Sequence, residues 1–148
     1  MIVRRATIDD RFAIVEFQIA MARETENLEL DAQTVEKGVR AVFDDSSKGI
    51  YFVAEKENMV LASLMITFEW SDWRNGNVWW IQSVYVKPGF RREGIFKKMY
   101  ANVKQIVLGD STLKGLRLYA DRENKIAHNT YRNLGMNSEH YAMFEWMK

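Results

Sequence analysis

The chain contains no cysteine and a single proline, Pro88, among its 148 residues. The missing thiols exclude disulfides, thiolate nucleophiles and cysteine-built metal sites. An excess of one charge is missing too: 21 Lys and Arg face 20 Asp and Glu, a formal net charge of +1. That argues against a nucleic-acid partner held by a broad positive field. No run approaches the ~18 apolar residues of a membrane span, and the start Met1-Ile2-Val3-Arg4-Arg5-Ala6 has no apolar signal core. The expectation is a soluble cytoplasmic protein without nucleic-acid or membrane partners. Repeats, low-complexity tracts and linkers are also lacking, so one domain over residues 1–148 is expected. What is present is 47% hydrophobic and 28% charged, a composition suited to a folded core.

The hydrophobic pattern orders the elements. Val3 to Ala6 suits a short edge strand. Thr7 and Asp10 open a helix carrying Ile8, Phe12, Val15, Ile19 and Ala22 at helical spacing. Acidic residues follow at Glu24, Glu26, Glu29 and Asp31. Val35, Val39 and Val42 mark a second helix, ending near Ser46 to Gly49. The runs Ile50–Glu55, Met59–Trp70 and Val78–Val86 are rich in β-formers. They are separated by turns at Lys56-Glu57-Asn58 and Asn75-Gly76, so they read as an antiparallel meander. A third helix is expected over 91–108, capped by Gly109, then a strand over 115–121. A fourth helix over Asn124–Leu134 closes at Gly135, and Tyr141–Met147 reads as a last strand. A strand, helix, strand unit implies one parallel pair in an otherwise antiparallel sheet, hence a mixed α/β (α+β) sandwich.

The stretch Val84-Tyr85-Val86-Lys87-Pro88-Gly89-Phe90-Arg91-Arg92-Glu93-Gly94-Ile95-Phe96 carries the chemistry. A strand runs into a turn and then into a helix start with two arginines and a glycine. A helix N-terminus has unpartnered amides and about half a positive charge, which suits an anion such as a pyrophosphate. At Gly94 no Cβ stands between the backbone and such a group. The loop alone is equally consistent with turn glycines and solvated arginines. A P-loop is a poor match, because Ile95-Phe96 stands where that motif needs Lys and Ser/Thr.

Val86-x-Pro88-x-x-Arg91-Arg92-x-Gly94 resembles the central motif of the GNAT N-acetyltransferases, and Asn124-x-x-Ala127-x-x-x-Tyr131-x-x-x-Gly135-Met136 resembles their second conserved segment. The order of elements is similar over essentially the whole chain. The resemblance implies a mostly antiparallel sheet of about seven strands, one central parallel pair and helices on both faces. It implies acetyl-CoA as co-substrate and no metal. The strands at 78–86 and 115–121 would splay apart, leaving backbone groups of Val84, Tyr85 and Val86 to pair with the pantetheine amides. The pyrophosphate would meet the helix start formed by Arg91, Arg92, Glu93, Gly94, Ile95 and Phe96. A backbone N–H close to Tyr85 would polarise the acetyl carbonyl. Phe96 departs from the family's Gly or Ala and is expected to pack inward against Met99, Tyr100 and Val103. Ala62 stands where a glycine is often found.

The resemblance makes Tyr131 the general acid for the leaving thiolate, and a phenol of pKa ~10 is protonated at neutral pH. Asn124 would both cap its helix and hydrogen-bond the pantetheine region. For the base, Glu69 is a candidate at a strand end near the cleft, and Trp80 and Gln82 lie on the central strand without being able to serve. A water-relayed base is the other option, while Asp72, Glu24, Glu26 and Glu29 read as surface carboxylates. Trp80 and Glu69 are the candidates for lining the acceptor site, since adjacent Trp79 and Trp80 must face opposite ways. His128 and His140 have no metal-ligand spacing. Trp70-Ser71-Asp72-Trp73-Arg74 is too aromatic for an ordinary turn, which suits an acceptor pocket or a homodimer contact. The resulting expectation is an N-acetyltransferase moving acetyl from acetyl-CoA directly to a primary amine of a small molecule or peptide. The alternative is a non-catalytic acyl-CoA sensor.

Overall fold

In the computed structural model, which describes residues 1–148, the hydrophobic pattern sorts into two compact units, Met1–Arg117 and Leu118–Lys148. The first holds β1 (Ile2–Arg5), a 3-10 turn (Ile8–Asp10), α1 (Arg11–Glu26), α2 (Ala32–Asp44), β2 (Ile50–Lys56), β3 (Met59–Ser71), β4 (Gly76–Val86), a second 3-10 turn (Pro88–Phe90), α3 (Ile95–Gly109) and β5 (Leu113–Arg117). The five strands form one sheet in the order β1-β2-β3-β4-β5. All neighbours are antiparallel except β4 and β5, which are parallel. The class is the mixed one expected, with five strands rather than about seven.

Local chemistry accounts for the joints. Thr7 and Asp10 do open the first helical segment: the Asp10 carboxylate accepts the Thr7 amide at 2.7 Å. Glu57 and Asn58, at φ 53° and 61°, form the left-handed two-residue turn that matches strand twist between β2 and β3. Gly76 starts β4 where an added Cβ would lie 2.5 Å from the Thr112 carbonyl, so only glycine admits that approach. Asp31 caps α2 by accepting the Thr34 amide at 2.9 Å.

Strand alternation divides the core. Tyr51 and Val53 join Ile14 of α1 and Val39 of α2 in one buried cluster. Phe52, Ala54, Leu64, Ile66, Trp79 and Ile81 are buried as well. They take the opposite face, which α3 covers through buried Ile95, Met99 and Val103. Trp79 is therefore core, while Trp80 is half-buried on the α1 side.

The second unit holds α4 (Lys125–Asn133). Two expectations fail near it. The strand expected over 115–121 ends at Arg117, and Tyr141–Met147 forms no strand. No helix is long and apolar enough to cross a membrane.

Candidate functional site

The end of β4 is built by an irregularity that no glycine announces. Ser63 pairs with Tyr85 and Met65 with Gln82, so Ser83 and Val84 oppose Leu64 alone. Ser83 takes up the extra residue at φ 52°. Such a bulge bends the strand and leaves a residue out of the ladder. On the other side of β4, pairing to β5 runs only from Asn77–Leu113 to Trp80–Arg117. From Ile81 to Val86 that edge of β4 has no strand paired with it. Val84 and Val86 are half-buried and Tyr85 is buried.

The chain then turns through Pro88–Phe90 and Arg92, at φ 68°, before Gly94, at φ 75°, precedes α3. The helix starts at Ile95, not at 91. The first i to i−4 bond runs from the Lys98 amide to the Gly94 carbonyl at 3.1 Å. The preceding amides therefore point out of the helix end, where its partial positive charge is concentrated. An added Cβ on Gly94 would have nothing within 4 Å, so the space over the helix end is open. Arg92 and Glu93 flank it, exposed, and buried Ile95 anchors the turn from below. Phe96 is half-buried with its ring 6.4 Å from that of Tyr100.

Arg91 is exposed but held by partners on two elements. Its Nε donates to the Val86 carbonyl at 2.8 Å, its Nη2 to Glu24 Oε2 at 2.6 Å, and its guanidinium lies 5.3 Å from the Tyr85 ring. The Tyr85 hydroxyl donates to the other Glu24 oxygen at 2.8 Å, and its ring packs 5.1 Å from Phe17 of α1. The Arg91 guanidinium and the Tyr85 hydroxyl hold Glu24 below the usual carboxylate range. Burial, followed by the Glu24 carboxylate, pushes the Tyr85 phenol up. Sequence reasoning missed this triad because Glu24 lies 61 and 67 positions from its partners. Beside it, Phe17, Ala20, Tyr85, Lys87 and Phe90 line a cavity of about 370 Å3.

A polar strip continues along the same face of the sheet. Gln82 donates to the Thr67 hydroxyl at 2.5 Å, and Arg117 to Glu69 Oε2 at 2.5 Å. Register puts Thr67 opposite Trp80 and Trp80 beside Arg117. Glu69, Trp80 and Arg117 are thus brought together. Arg117 was overlooked in the sequence as the polar half of an alternating strand. Glu69 pairs with Val78, five strand steps before Ser83, or about 16 Å at ~3.3 Å per residue.

In the second unit, Asn124 caps α4 by accepting the Ala127 amide at 3.1 Å. Tyr131, seven residues on, shares its helix face. Burial raises the Tyr131 phenol above its ordinary value, so it stays protonated at neutral pH. His128 Nε2 lies 2.9 Å from the Asp121 carbonyl, and His140 is exposed. No group of three or more His, Cys, Asp or Glu is placed to hold a metal ion.

Comparison with known proteins adds to this geometry. Residues 14–136 match the model of the acetyltransferase (GNAT) family. A possible acetyltransferase from Clostridium difficile 630 is 44% identical, with a TM-score of 0.93 over 99% of this chain and 97% of that one. A predicted acetyltransferase with acetyl-CoA from Clostridium acetobutylicum is 16% identical with a TM-score of 0.75, over 97% of this chain and 95% of that one, a likeness of fold alone. Thialysine N-epsilon-acetyltransferase from Bos taurus is 35% identical over 68 residues, which are 46% of this chain and 39% of that protein.

Proposed function

Because the chain belongs to the acetyltransferase (GNAT) family, we propose that it moves an acetyl group from acetyl-CoA directly to a primary amine, its two units acting as one acetyltransferase domain. The observation that carries this reading is the sequence of bulge, split pairing and open helix start between Ser83 and Phe96. The residues present fit the co-substrate: an amide-bearing arm finds strand backbone at Val84–Val86, and a diphosphate finds a helix end without a Cβ in the way. Bound acetyl-CoA supplies a thioester whose carbonyl carbon is open to attack.

The protein's part is orientation and charge. A backbone N–H near Tyr85 stabilises negative charge developing on the carbonyl oxygen. Arg92, Glu93, Ile95 and Phe96 contribute helix-end backbone to the diphosphate. Arg91, neutralised by Glu24, shapes the loop more than it adds free charge. Asn124 hydrogen-bonds the pantetheine region. Tyr131 gives its proton to the departing thiolate as the C–S bond breaks. The amine proton leaves through water toward Glu69, whose distance from the bulge calls for a relay. Trp80 and Glu69 face the acceptor. Likeness to the Bos taurus enzyme supports an acceptor of amino-acid size with a free side-chain amine.

The test is a CoA-release assay against a panel of primary amines, with Tyr131→Phe beside the native protein. We expect release with at least one amine. The variant should keep acetyl-CoA affinity and lose on the order of 10²-fold in turnover. Tight acetyl-CoA binding with no release from any amine would make the protein an acyl-CoA-binding module. Unchanged turnover in the variant would remove Tyr131 from the chemistry.

A further inference from the structure

On the α1 face of β4 a cavity of about 370 Å3 opens beside the Glu24–Tyr85–Arg91 triad, and no step of the proposed transfer uses it. Its floor is apolar. Phe17 and Tyr85 are buried, with their rings 5.1 Å apart. Ala20, one turn beyond Glu16 on α1, and Phe90, in the 3-10 turn after β4, are half-buried and complete the wall. An added Cβ on Gly89 would meet nothing within 4 Å, so the rim is open there. Small-molecule sites have volumes of ~300–1,000 Å3, apolar walls and a few polar groups. This cavity is at the lower end of that range, which suits a metabolite of about a dozen non-hydrogen atoms.

Two charged side chains line it, and their signs are opposite. The Lys87 ammonium lies 5.9 Å from the centre of the Phe17 ring. Lys87 is half-buried, yet no carboxylate pairs with it. Glu16 is exposed, and its carboxylate forms no ion pair or hydrogen bond with Lys87 or any other residue. Glu24, by contrast, is already matched by Arg91. A charge that has lost part of its hydration without gaining a partner is a ready ligand contact. An unpaired lysine and an unpaired glutamate on one apolar cavity complement a zwitterion with an apolar body. A plain carboxylate would suit Lys87 but face Glu16, and a plain amine would suit Glu16 but face Lys87.

We propose that this cavity binds a free amino acid with an apolar side chain. Its carboxylate would meet Lys87, its ammonium Glu16, and its side chain Phe17, Ala20 and Phe90. This is a second ligand, not the acetyl acceptor. The cavity faces α1, whereas the thioester would lie along the split edge of β4. Tyr85 is common to both, since its ring walls the cavity and its backbone borders the split edge. Phe90 immediately precedes Arg91, so a ligand against it touches the turn that leads into the diphosphate loop.

Calorimetry on the whole chain without acetyl-CoA tests this binding independently of acetyl transfer. The probes are phenylalanine, phenethylamine, which lacks the carboxylate, and phenylpropionate, which lacks the ammonium. Phenylalanine should bind most tightly and each of the others about tenfold more weakly, the loss of one partly exposed charge-assisted hydrogen bond. Lys87→Met should weaken phenylalanine and phenylpropionate about tenfold and leave phenethylamine no weaker. Glu16→Gln should weaken phenylalanine and phenethylamine and leave phenylpropionate no weaker. Ala20→Phe, which fills the cavity, should abolish binding of all three, with thermal melts checking the fold of each variant. No binding of phenylalanine up to ~10 mM overturns the proposal. Equal affinity for the three probes does so too, as does a Lys87→Met variant that binds phenylalanine like the native protein. CoA release with phenylalanine as the only amine also overturns it, because the cavity would then be the acceptor site.

Discussion

Replacing Gly94 by alanine separates the cost of backbone conformation from the cost to a ligand. Gly94 sits at φ 75°, and an added Cβ would meet nothing within 4 Å. The folded protein therefore loses only what an L-residue gives up in the left-handed region, about 1–2 kcal/mol. For a chain of this length that lowers the melting temperature by roughly 2–8 °C. A diphosphate approaching the helix end meets the new methyl directly. Displacing one charge-assisted hydrogen bond, worth about 1.5–3 kcal/mol, weakens acetyl-CoA binding by roughly 10- to 100-fold. Gly109→Ala is the control, at the other end of α3 and equally uncrowded. It should gain up to about 1 kcal/mol in stability and leave binding alone. Calorimetric titration with acetyl-CoA and thermal melts read both quantities. If Gly94→Ala melts lower yet binds acetyl-CoA as tightly as the native protein, no phosphate rests on this helix end, and the reasoning fails.

Two further substitutions probe the network around the core. In Arg4→Ala, the Asp10 carboxylate, 7% exposed, keeps its burial but loses two guanidinium bonds of 2.8 and 2.9 Å. The loss should be about 3 kcal/mol, the low end for a broken buried pair because Arg4 is itself partly exposed. Burial alone would raise Asp10, but Arg4 and the Thr7 amide outweigh it and hold the carboxyl below its ordinary 3.8. That stabilisation is complete above the ordinary carboxylate pKa and disappears as pH falls below it. Urea midpoints of the native protein should therefore drop on acidification through that window, and those of Arg4→Ala should not show this component. Glu24→Gln removes the carboxylate that helps raise Tyr85. Ultraviolet difference titration should then show one tyrosine ionising at lower pH than in the native protein, and an unchanged titration would refute the hydrogen bond.

The sequence made legible what depends on neighbours. Caps at Thr7 and Asn124, the turns at 57–58 and 75–76, and the strand-to-helix motif around Gly94 are all local patterns with local causes, whereas the cap at Asp31 reads in the sequence only as part of an acidic run. Elements whose ends depend on distant chain were less legible. The strand expected over 115–121 stops at Arg117, where its pairing with β4 ends. Alternation alone could not say that Leu118 and Ala120 lack a partner strand. Tyr141–Met147 has a strand's composition but no ladder, because a strand exists only where a neighbour supplies hydrogen bonds. The Glu24–Tyr85–Arg91 triad joins α1 to β4 across more than sixty positions, and the acidic segment around Glu24 reads as a solvated face. Glu69 and Trp80 were identifiable by strand position, but their companion Arg117 became visible only through register.

The extra residue at Ser83 has an evolutionary reach beyond its own geometry. Before it, even-numbered side chains of β4 such as Gln82 look toward α1; after it, odd-numbered Tyr85 does, as its packing on Phe17 records. The strand changes phase once, mid-course. Deleting Ser83 would leave Val84 alone opposite Leu64 and Tyr85 still opposite Ser63 on the α1 side, so such a deletion removes the bend without turning Tyr85 away from Glu24. A lineage can therefore lose the bend through a one-codon gap at 83 and keep Tyr85 facing α1, so the spacing between Gln82 and Tyr85 reports whether a relative retains the bulge.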